Sequence, residues 1–285
     1  ITAAGETQAS TDMTIRLGGK GYNQAAATCK SGGAVWLAGC IGTDGKPFLD
    51  ACSKLGIHAE LVKTVPDCKT GHAVIQVSEE GENSILLFGG ANQRQDRAYI
   101  DHVLSKFDRG DYLMLQNEVN ELPYLIDRAY EIGMKIVLNP SPFNDIILKC
   151  DLDKVSWLLV NEIECRQILE ADCDEKPAEQ LRRKYPGCNI VVTLGKNGAR
   201  CWIDGQAISQ RAFSVTPVDT TGAGDCFTGY LIGMTAAGYS CQDALRTATA
   251  ASALCITRPG AAESVPTYAE VQAALRGSIE RTVRS

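Results

Sequence analysis

The sequence lacks the features typical of membrane, secreted and nucleic-acid-binding proteins. No apolar run reaches the roughly 18 residues that a membrane-spanning helix requires, and residues 1–16 are polar where a signal peptide would be apolar. The 28 lysine and arginine residues are outnumbered by 34 aspartate and glutamate residues, so no basic surface for nucleic acid is indicated. We therefore expect neither a membrane nor a nucleic acid as partner.

Metal-binding cysteine motifs and histidine clusters are also missing. The chain has 12 cysteines, but no two of them have CxxC spacing. Its three histidines (His58, His72 and His102) stand apart from the other residue types that bind zinc. Several cysteines lie within apolar runs, as Cys201 does, which is typical of buried, reduced thiols. A zinc site is not indicated, and we expect a cytoplasmic protein.

Two common nucleotide-binding motifs are absent as well. A P-loop requires GxxxxGK[ST], whereas this chain has Gly195-Lys196-Asn197 and Gly45-Lys46-Pro47. A dinucleotide-binding turn requires GxGxxG, and the glycine cluster at Gly18–Gln24 does not continue in that way. The sequence therefore lacks the main motif that would indicate a P-loop NTPase or a Rossmann dehydrogenase.

What the chain does have is the composition of one globular α/β domain. Its 285 residues are 45% hydrophobic and 22% charged, which is ordinary for a soluble fold. From residue 111 onward, short apolar strands alternate with helical patterns, as in a parallel sheet covered on both faces. The predicted strands are Tyr112–Gln116, Lys135–Leu138, Trp157–Val160 and Ile190–Thr193, the predicted helices are Leu122–Ile132, Ile163–Leu169, Ala178–Tyr185, Gly224–Ala237, Cys241–Thr257 and Tyr268–Arg281, and Ala199–Val215 resembles a meander of edge strands.

The first 90 residues have more β character and predict a small subdomain on the α/β body. Gly56 ends an amphipathic helical pattern, and Glu79–Asn83 is typical of a turn between two hairpin strands. The predicted strands are Thr11–Leu17, Ala34–Ala38 (buried), Glu60–Val65, His72–Val77 and Ser84–Phe88, and the predicted helices are Asn23–Lys30 and Pro47–Leu55.

The strongest chemical feature is the string Val218–Phe227, in which Gly222-Ala223-Gly224 precedes Asp225 and a helical pattern then begins. Small residues let backbone N–H groups approach a ligand closely, and the first turn of a helix binds anions. A carboxylate beside a phosphate site is costly unless it has a task, and accepting a proton from an attacking hydroxyl is such a task. The alternative is a capped helix start, in which Asp225 complements the helix dipole.

A second feature is the glycine cluster of Gly18–Gln24, at a junction between a strand and a helix. It exposes backbone N–H groups, and Lys20, Asn23 and Gln24 add polar groups that suit the hydroxyls of a sugar. The alternative is a tight turn with a solvated lysine.

These two strings, with six others in series, resemble the ribokinase branch of the phosphofructokinase-B-type sugar kinases over most of the chain. The resemblance implies a single domain over residues 1–285, with the α/β ribokinase-like three-layer sandwich, a central mostly parallel sheet and a small β lid. The strings are Gly5–Thr7, Gln116–Glu118, Asn139–Pro142, Asn161–Glu164, Thr193–Gly198, Asp219–Asp225 and Thr257–Pro266, and the cluster Gly18–Gln24 precedes most of them.

The resemblance also implies the roles of individual residues in catalysis and sugar binding. Asp225 matches the catalytic base, and Gly222, Ala223 and Gly224 match the anion hole. Glu118 has a simpler alternative as a solvated loop carboxylate. The implied sugar contacts are Gly19, Lys20, Gly21, Asn23, Glu118, Asp219 and Asp225.

For the nucleotide and its ions, the resemblance implies ATP, Mg²⁺ and K⁺. Asn161 and Glu164 match an Asn-x-x-Glu motif that organises phosphate and the water shell of Mg²⁺, although an ordinary helix N-cap explains the same residues. Asn139–Pro142 likewise suits a rigid turn. The implied nucleotide contacts also include Thr193, Leu194, Gly195, Lys196, Asn197, Gly198, Gly224, Asp225 and, near the adenine, Thr249, and the implied K⁺ loop is Asp219, Thr221, Cys255, Arg258, Gly260 and Ser264.

The chain departs from the family at its start, because the family begins with a strand that carries a sugar-binding aspartate. We therefore expect a further N-terminal strand before residue 1. A β lid is expected from about 5–17 and 60–77, and such lids imply a homodimer.

The implied reaction is ATP-dependent phosphorylation of O5 of D-ribose to ribose 5-phosphate. Kinases of deoxyribose, of a nucleoside or of fructose are alternatives, as is a sugar-binding regulator without turnover.

Overall fold

A computed structural model of the chain describes residues 5–78, 83–170, 177–203 and 205–284. The strands are β1 Trp36–Ile41, β2 His58–Thr64, β3 His72–Val77, β4 Asn83–Phe88, β5 Tyr112–Gln116, β6 Lys135–Asn139, β7 Trp157–Asn161, β8 Asn189–Thr193, β9 Ala199–Ile203 and β10 Gln206–Gln210. The helices are α1 Lys20–Lys30, α2 Lys46–Leu55, α3 Arg97–Leu104, α4 Leu122–Ile132, α5 Glu162–Leu169, α6 Pro177–Lys184, α7 Ala223–Ala236, α8 Cys241–Cys255 and α9 Tyr268–Arg284.

The centre of the fold is a six-stranded sheet in the order β10-β9-β8-β7-β6-β5. Strands β5 to β8 run parallel, and β9 and β10 are antiparallel to their neighbours. The segments Ile136–Leu138 and Trp157–Val160 are buried without interruption, which is the pattern of strands covered on both faces. The predicted α/β fold with a central, mostly parallel sheet is confirmed.

Helices cover both faces of this sheet, and the strand side chains alternate between two buried clusters. Val137, Leu159 and Val191 pack with α7 and α8 on one face. Ile136, Leu158 and their neighbours pack with α3 to α6 on the other face. The result is three layers with the sheet in the middle. Among the described residues, no helix has the combination of length and apolar character that crossing a membrane requires.

The N-terminal third differs from its predictions in two places. Residues 11–17 contain no strand: the sequence alternates there, but no neighbouring strand in the described part of the chain pairs with it, and a strand needs a partner for its backbone. The strand predicted as buried at Ala34–Ala38 lies at Trp36–Ile41, and Trp36 is 45% exposed. The predicted turn at Glu79–Asn83 falls mostly on residues 79–82, outside the described residues.

Two small sheets stand apart from the central one. Strands β1 and β2 pair in parallel, and β3 and β4 form an antiparallel hairpin. A cleft of about 3740 Å³ extends from Gly19 to the space between β1 and β5, where Leu37 and Leu113 are among its lining residues. The expected strand before residue 1 and the lid stay predictions.

Candidate active site

The N-terminus of α7 is set by a left-handed turn. Gly222 has φ of 73° and its carbonyl accepts the Cys226 N–H at 2.8 Å, a conformation that favours glycine. The Ala223 N–H donates to Thr220 O at 3.3 Å. Within the described residues, the N–H groups of Gly222, Gly224 and Asp225 have no protein acceptor. This helix start therefore presents unused amide donors together with the positive end of the helix dipole.

Helix α1 begins at a second left-handed glycine, which places Lys20 against Glu118. Gly19 has φ of 98°, and the Lys20 N–H donates to Glu118 Oε2 at 2.7 Å. A side chain at Gly21 would lie 3.1 Å from Gln116 Oε1. The glycines thus allow the start of α1 to approach the end of β5 closely.

Asp225 is the carboxylate on which the site converges. It is 5% exposed, and each of its oxygens accepts one amide hydrogen bond. Asn23 Nδ2 lies 2.9 Å from Oδ2, and Gln24 Nε2 lies 3.0 Å from Oδ1. Lys20 Nζ is 4.0 Å from Oδ1. A buried carboxylate with two neutral donors and one cation is compensated in charge, and it keeps acceptor capacity for a ligand.

The close packing of α1 on α7 brings these groups together. A Cβ at Gly229 of α7 would lie 2.5 Å from Ala27 Cβ and from Gln24 O, so the two backbones nearly touch. Thr28 Oγ1 also donates across this interface to Gly229 O at 3.1 Å. Because α1 carries both amides and α7 carries the carboxylate, the spacing of the two helices determines the geometry at Asp225.

Two acceptors face the same space as Asp225. Asn23 Oδ1 is buried and has no hydrogen-bond partner within the described residues. Burial raises the pKa of Glu118, and the nearby Asp225 adds to the increase, while hydrogen bonds from Lys20 and Gly21 oppose it. An unpaired buried acceptor beside two carboxylates suits a ligand that carries hydroxyl donors.

Hydrogen bonds tie the segment before α7 to the segment after α8. Asp219 Oδ1 accepts from Thr221 N, and Asp219 Oδ2 accepts from Gly260 N, both at 2.9 Å. Burial alone would raise the pKa of Asp219, but these hydrogen bonds outweigh it and lower the pKa. Ile256 O accepts from Val218 N at 2.7 Å. The backbone carbonyls of both segments are thereby brought close together.

The side chains of this loop are largely engaged with each other. Arg258 donates to Glu270 at 2.6 Å, and Cys255 Sγ lies 2.9 Å from Ser264 Oγ. A hydrogen bond from Cys226, assisted by Ser264, lowers the pKa of Cys255 to about 7 despite burial. Any cation held here would therefore depend mainly on backbone oxygens.

Asn161 and Glu164 form a complete capping box at the start of α5. Asn161 Oδ1 accepts from the N–H groups of Ile163 and Glu164 at 2.9 Å, and Glu164 Oε2 accepts from Asn161 N at 3.0 Å. The simpler sequence interpretation, a helix N-cap, is thus observed. In the described part of the chain, Asn161 Nδ2 and Glu164 Oε1 have no protein partner and remain available to a ligand.

The other predicted nucleotide residues fall in two places. Thr193 ends β8, and residues 194–198 follow it as a tight turn, where Gly198 N donates to Gly195 O at 3.0 Å and Lys196 is exposed. Thr249 lies within α8, is 6% exposed, and donates to Leu245 O at 2.7 Å. The turn is open to a ligand, whereas the Thr249 hydroxyl is already used within its helix.

Three residues that the structure places at the site had no predicted role there. Gln116 and Asn139 end neighbouring strands β5 and β6 and pair in register, and both reach toward Gln24. Ser252 Oγ donates to Ala223 O at 3.0 Å and braces the start of α7. The position of Gln116 and Asn139 at the carboxyl ends of adjacent parallel strands is the sequence signal that could have identified them. Gln24 itself contacts protein groups and is 1% exposed.

Comparison with known proteins identifies the family. A model of the pfkB family of carbohydrate kinases matches residues 1–268. The chain belongs to this family. The ribokinase of Haemophilus influenzae is 32% identical to this PfkB-family protein over 278 residues, which cover 95% of this chain and 90% of that protein. A deoxyribokinase from Salmonella typhi is 30% identical over 92% of this chain and 88% of its own length.

Solved structures of ribokinases share the fold of this PfkB-family chain. The ribokinase of Cryptococcus neoformans var. grubii serotype A in complex with ADP has a TM-score of 0.86 and 34% identity, over 96% of this chain and 93% of that one. The ribokinase of Arabidopsis thaliana complexed with ribose and ATP has a TM-score of 0.81 and 27% identity, over 95% and 91%. The protein is therefore a phosphotransferase that acts on a sugar hydroxyl, with the ribokinase-like fold.

Proposed function

We propose that this kinase transfers the γ-phosphoryl group of ATP to the O5 hydroxyl of D-ribose and releases ribose 5-phosphate and ADP. The placement of Asp225 carries the proposal. Its buried carboxylate lies at the start of a long helix, next to unused backbone donors and to a buried acceptor without a partner. A base next to an anion site and a hydroxyl-binding site suits phosphoryl transfer to an alcohol.

In this mechanism Asp225 accepts the proton of the attacking hydroxyl. The bond between O5 and the γ-phosphorus forms as the bond from that phosphorus to the bridging oxygen of ADP breaks. The amide donors of Gly222, Gly224 and Asp225 offset the charge on the transferred group. Ala223 contributes less than the sequence implied, because its N–H is already directed at Thr220 O. The proton on Asp225 is then lost to solvent.

The sugar contacts are proposed on the other side of Asp225. Asn23 Oδ1 is a buried acceptor without a partner among the described residues, and a sugar hydroxyl would satisfy it. Gly19 and Gly21 keep the start of α1 close to β5, and Lys20 and Glu118 border the same space. Each oxygen of Asp219 accepts one backbone N–H group, and the carboxylate keeps acceptor capacity for a sugar hydroxyl.

The nucleotide is proposed to lie over the ends of β7 and β8. Asn161 Nδ2 and Glu164 Oε1 are free of protein partners in the described chain, and carboxylate oxygen suits hydrated Mg²⁺. When bound, Mg²⁺ offsets the phosphate charge. The exposed turn at 193–198 offers its backbone to the nucleotide. The Thr249 hydroxyl donates its proton to Leu245 O, so Thr249 lines the adenine side with its methyl group and with the hydroxyl oxygen as an acceptor.

The proposed K⁺ loop fits a cation in its donor chemistry. Its two segments are joined by hydrogen bonds at Asp219 and at Ile256, and its unused oxygens are backbone carbonyls next to one carboxylate. Hard cations prefer such oxygens. Cys255 and Arg258 would contribute carbonyls, because their side chains bond to Ser264 and Glu270. Cys255 O already accepts the Arg258 N–H at 3.2 Å and would use its second lone pair.

A homodimer through the β3–β4 hairpin is proposed, and the exposed apolar surface of the hairpin supports it. Val74 and Ile75 on β3 and Leu86 on β4 are 51%, 51% and 71% exposed. Adjacent residues of a strand face opposite sides, so both faces of the hairpin are apolar, and an isolated hairpin of this kind is marginally stable. A second copy would cover it. Light scattering should give twice the monomer mass and a monomer for Leu86→Lys. A wild-type monomer at micromolar concentration would contradict this assembly.

Other acceptors are alternatives to D-ribose at this site. The deoxyribokinase match favours 2-deoxyribose as the second candidate acceptor. A nucleoside, fructose and a regulator without turnover are further alternatives. The cytoplasm is proposed because the 11 described cysteines are all free thiols, which is typical of a reducing compartment.

Measurement of ADP release tests these alternatives together. The assay compares D-ribose, 2-deoxyribose, fructose and a nucleoside, with and without K⁺, and ³¹P NMR identifies the phosphorylated position. We expect the highest kcat/KM with D-ribose, stimulation by K⁺ and phosphate on O5. A higher kcat/KM with another acceptor would replace ribose. No ADP release with any acceptor would support the non-catalytic alternative.

A further inference from the structure

A chain of side-chain amides lies behind Asp225. Gln24 Nε2 donates to Asp225 Oδ1 at 3.0 Å and to Asn139 Oδ1 at 3.2 Å. Gln24 Oε1 accepts from Gln116 Nε2 at 2.6 Å. Asn139 Nδ2 in turn donates to Leu159 O at 3.0 Å. Every hydrogen-bonding group of the Gln24 amide except one acceptor site is therefore used by protein groups.

The network has a single direction that satisfies all its members. The carbonyl of Leu159 can only accept, so it fixes the orientation of the Asn139 amide. Asn139 Oδ1 and Asp225 then both require donors, which places Gln24 Nε2 toward them. Gln24 Oε1 is left facing Gln116 Nε2. A reversed Gln24 amide would set its oxygen against a carboxylate and an amide oxygen, which is repulsive.

Because Gln24 is buried, reversing the orientation of its amide would be costly, and its side chain is kept away from the ligand. Gln24 is 1% exposed, whereas Asn23, one position earlier, keeps a buried oxygen without a described partner. Asn23 and Gln24 therefore have different roles: Asn23 can still accept a hydrogen bond from a sugar hydroxyl, and Gln24 is buried away from the sugar. The network also fastens the α7 carboxylate to the ends of β5 and β6 through α1.

We propose that Gln24 is a positioning residue, which holds the Asp225 carboxylate in its reactive orientation, and that Gln116 sets the direction of the Gln24 amide. The proposal rests on the proposed role of Asp225 as the base. Because Gln24 does not reach the sugar, its loss should lower kcat and leave KM for ribose nearly unchanged. An error of about 1 Å in the placement of a reactive group can cost about 10²-fold in rate.

The first test replaces Gln24 by a residue of similar length without amide groups. Gln24→Met should lower kcat about 10- to 100-fold, with KM for ribose within about threefold and the calorimetric Kd for ADP unchanged. The control is Ser156→Ala, just before the amino end of β7, which removes the hydrogen bond that Ser156 Oγ accepts from Ile136 N at 3.2 Å and lies away from the carboxyl strand ends at the site. It should lower the unfolding temperature and retain kcat. Equal kcat losses in both variants would overturn the proposal.

The second test asks whether Gln24 acts through Asp225. In an Asp225→Asn background, Gln24→Met should cost less than about twofold further in kcat, since the two changes remove one function. A further loss as large as in the wild-type background would show that Gln24 acts independently and would overturn the proposal. Near wild-type turnover of Asp225→Asn alone would instead refute the base assignment, so the two failures are distinguishable.

The third test changes Gln116 instead of Gln24. This test remains informative if Gln24→Met does not fold. Gln116→Glu keeps the shape of the side chain but places a carboxylate oxygen next to Gln24 Oε1. To avoid this repulsion the Gln24 amide must flip, and its oxygen then faces the Asp225 carboxylate. Gln116→Met only removes the donor. We expect a larger loss of kcat in Gln116→Glu than in Gln116→Met, again with little change in KM for ribose. Retention of kcat within twofold in both variants would contradict the directional network.

Discussion

The two halves of the proposed phosphoryl-transfer site are built in opposite ways. At Asp225 the hydrogen-bond partners Asn23 and Gln24 lie 202 and 201 positions away in the chain. At Asn161 the partners lie two and three positions away, within one capping box. The capping box forms wherever α5 forms, and so it is weak evidence for a ligand. The arrangement at Asp225 exists only in the folded chain, and so it is the stronger evidence for a function.

The largest expected effect comes from the Asp225 carboxylate itself. Asp225→Asn keeps the shape but removes the base, so kcat should fall about 10²- to 10⁴-fold. ADP and ATP binding, measured by calorimetry, should remain nearly intact, because the nucleotide half is built separately. Turnover close to that of the wild type would exclude Asp225 as the base.

The next effect tests whether the Asp225 half depends on the packing of α1 against α7. In Gly229→Ala the new Cβ would meet Ala27 Cβ and Gln24 O at 2.5 Å, so the helices must separate. Overpacking should cost about 1–3 kcal/mol in unfolding free energy, and kcat should fall about 10- to 100-fold.

Gly277→Ala on α9 is the matched control, because a Cβ there meets no atom within 4 Å. This variant should keep the wild-type kcat, and its free energy of unfolding, measured with denaturant, should rise by about 0.5–1 kcal/mol. Full activity of Gly229→Ala would contradict the dependence of the site on this helix pair.

A smaller effect separates capping from ligand binding at Asn161. Asn161→Ala should cost about 1 kcal/mol of stability through loss of the cap. Asn161→Ser retains a capping oxygen but lacks Nδ2, so it should preserve stability and still raise KM for MgATP. If KM for MgATP rises only in Asn161→Ala, the variant that loses stability, Asn161 serves as a cap and its assignment to the nucleotide site is wrong.

The smallest effect concerns the pH dependence of stability at Glu118. Burial, with a contribution from Asp225, raises the pKa of Glu118 in the folded protein, so the folded protein binds this proton more tightly than the unfolded chain. The stabilisation is present below the ordinary pKa and is lost as the pH rises through the raised value. Unfolding temperatures of the wild type and Glu118→Gln should therefore diverge in favour of the variant from about pH 4 upward. A gap that is constant, or that closes as the pH rises, would contradict the direction of this shift.

The sequence predicted the local elements of the body well, because they depend on nearby residues. The helix Leu122–Ile132 and the strand Tyr112–Gln116 have their predicted bounds, since Gly133 ends the helix and the apolar strand is flanked by polar residues. The alternating stretch Thr11–Leu17 failed as a strand, because alternation does not supply a pairing partner. Strand β1 does pair with β2, but its apolar sequence does not show which residues another layer covers, and Trp36 is 45% exposed.

The candidate site was predictable in its motifs but not in its connections. Asp225, Asn23 and Glu118 were expected near one another from the family resemblance, and the structure brings them together. The use of Gln24 by Asp225, rather than by a sugar, depends on the approach of α1 to α7 at Gly229. The roles of Gln116 and Asn139 depend on strand order in the sheet. No local pattern encodes these distances.

The most direct test of the whole account is a crystal structure with D-ribose and a non-hydrolysable ATP analogue bound together. The account predicts an Asp225 carboxylate oxygen within about 2.6–3.2 Å of O5, with the terminal phosphate at the amide donors of Gly224 and Asp225. A ternary complex in which O5 lies out of hydrogen-bonding reach of Asp225, or in which this carboxylate turns away from the sugar, would contradict it.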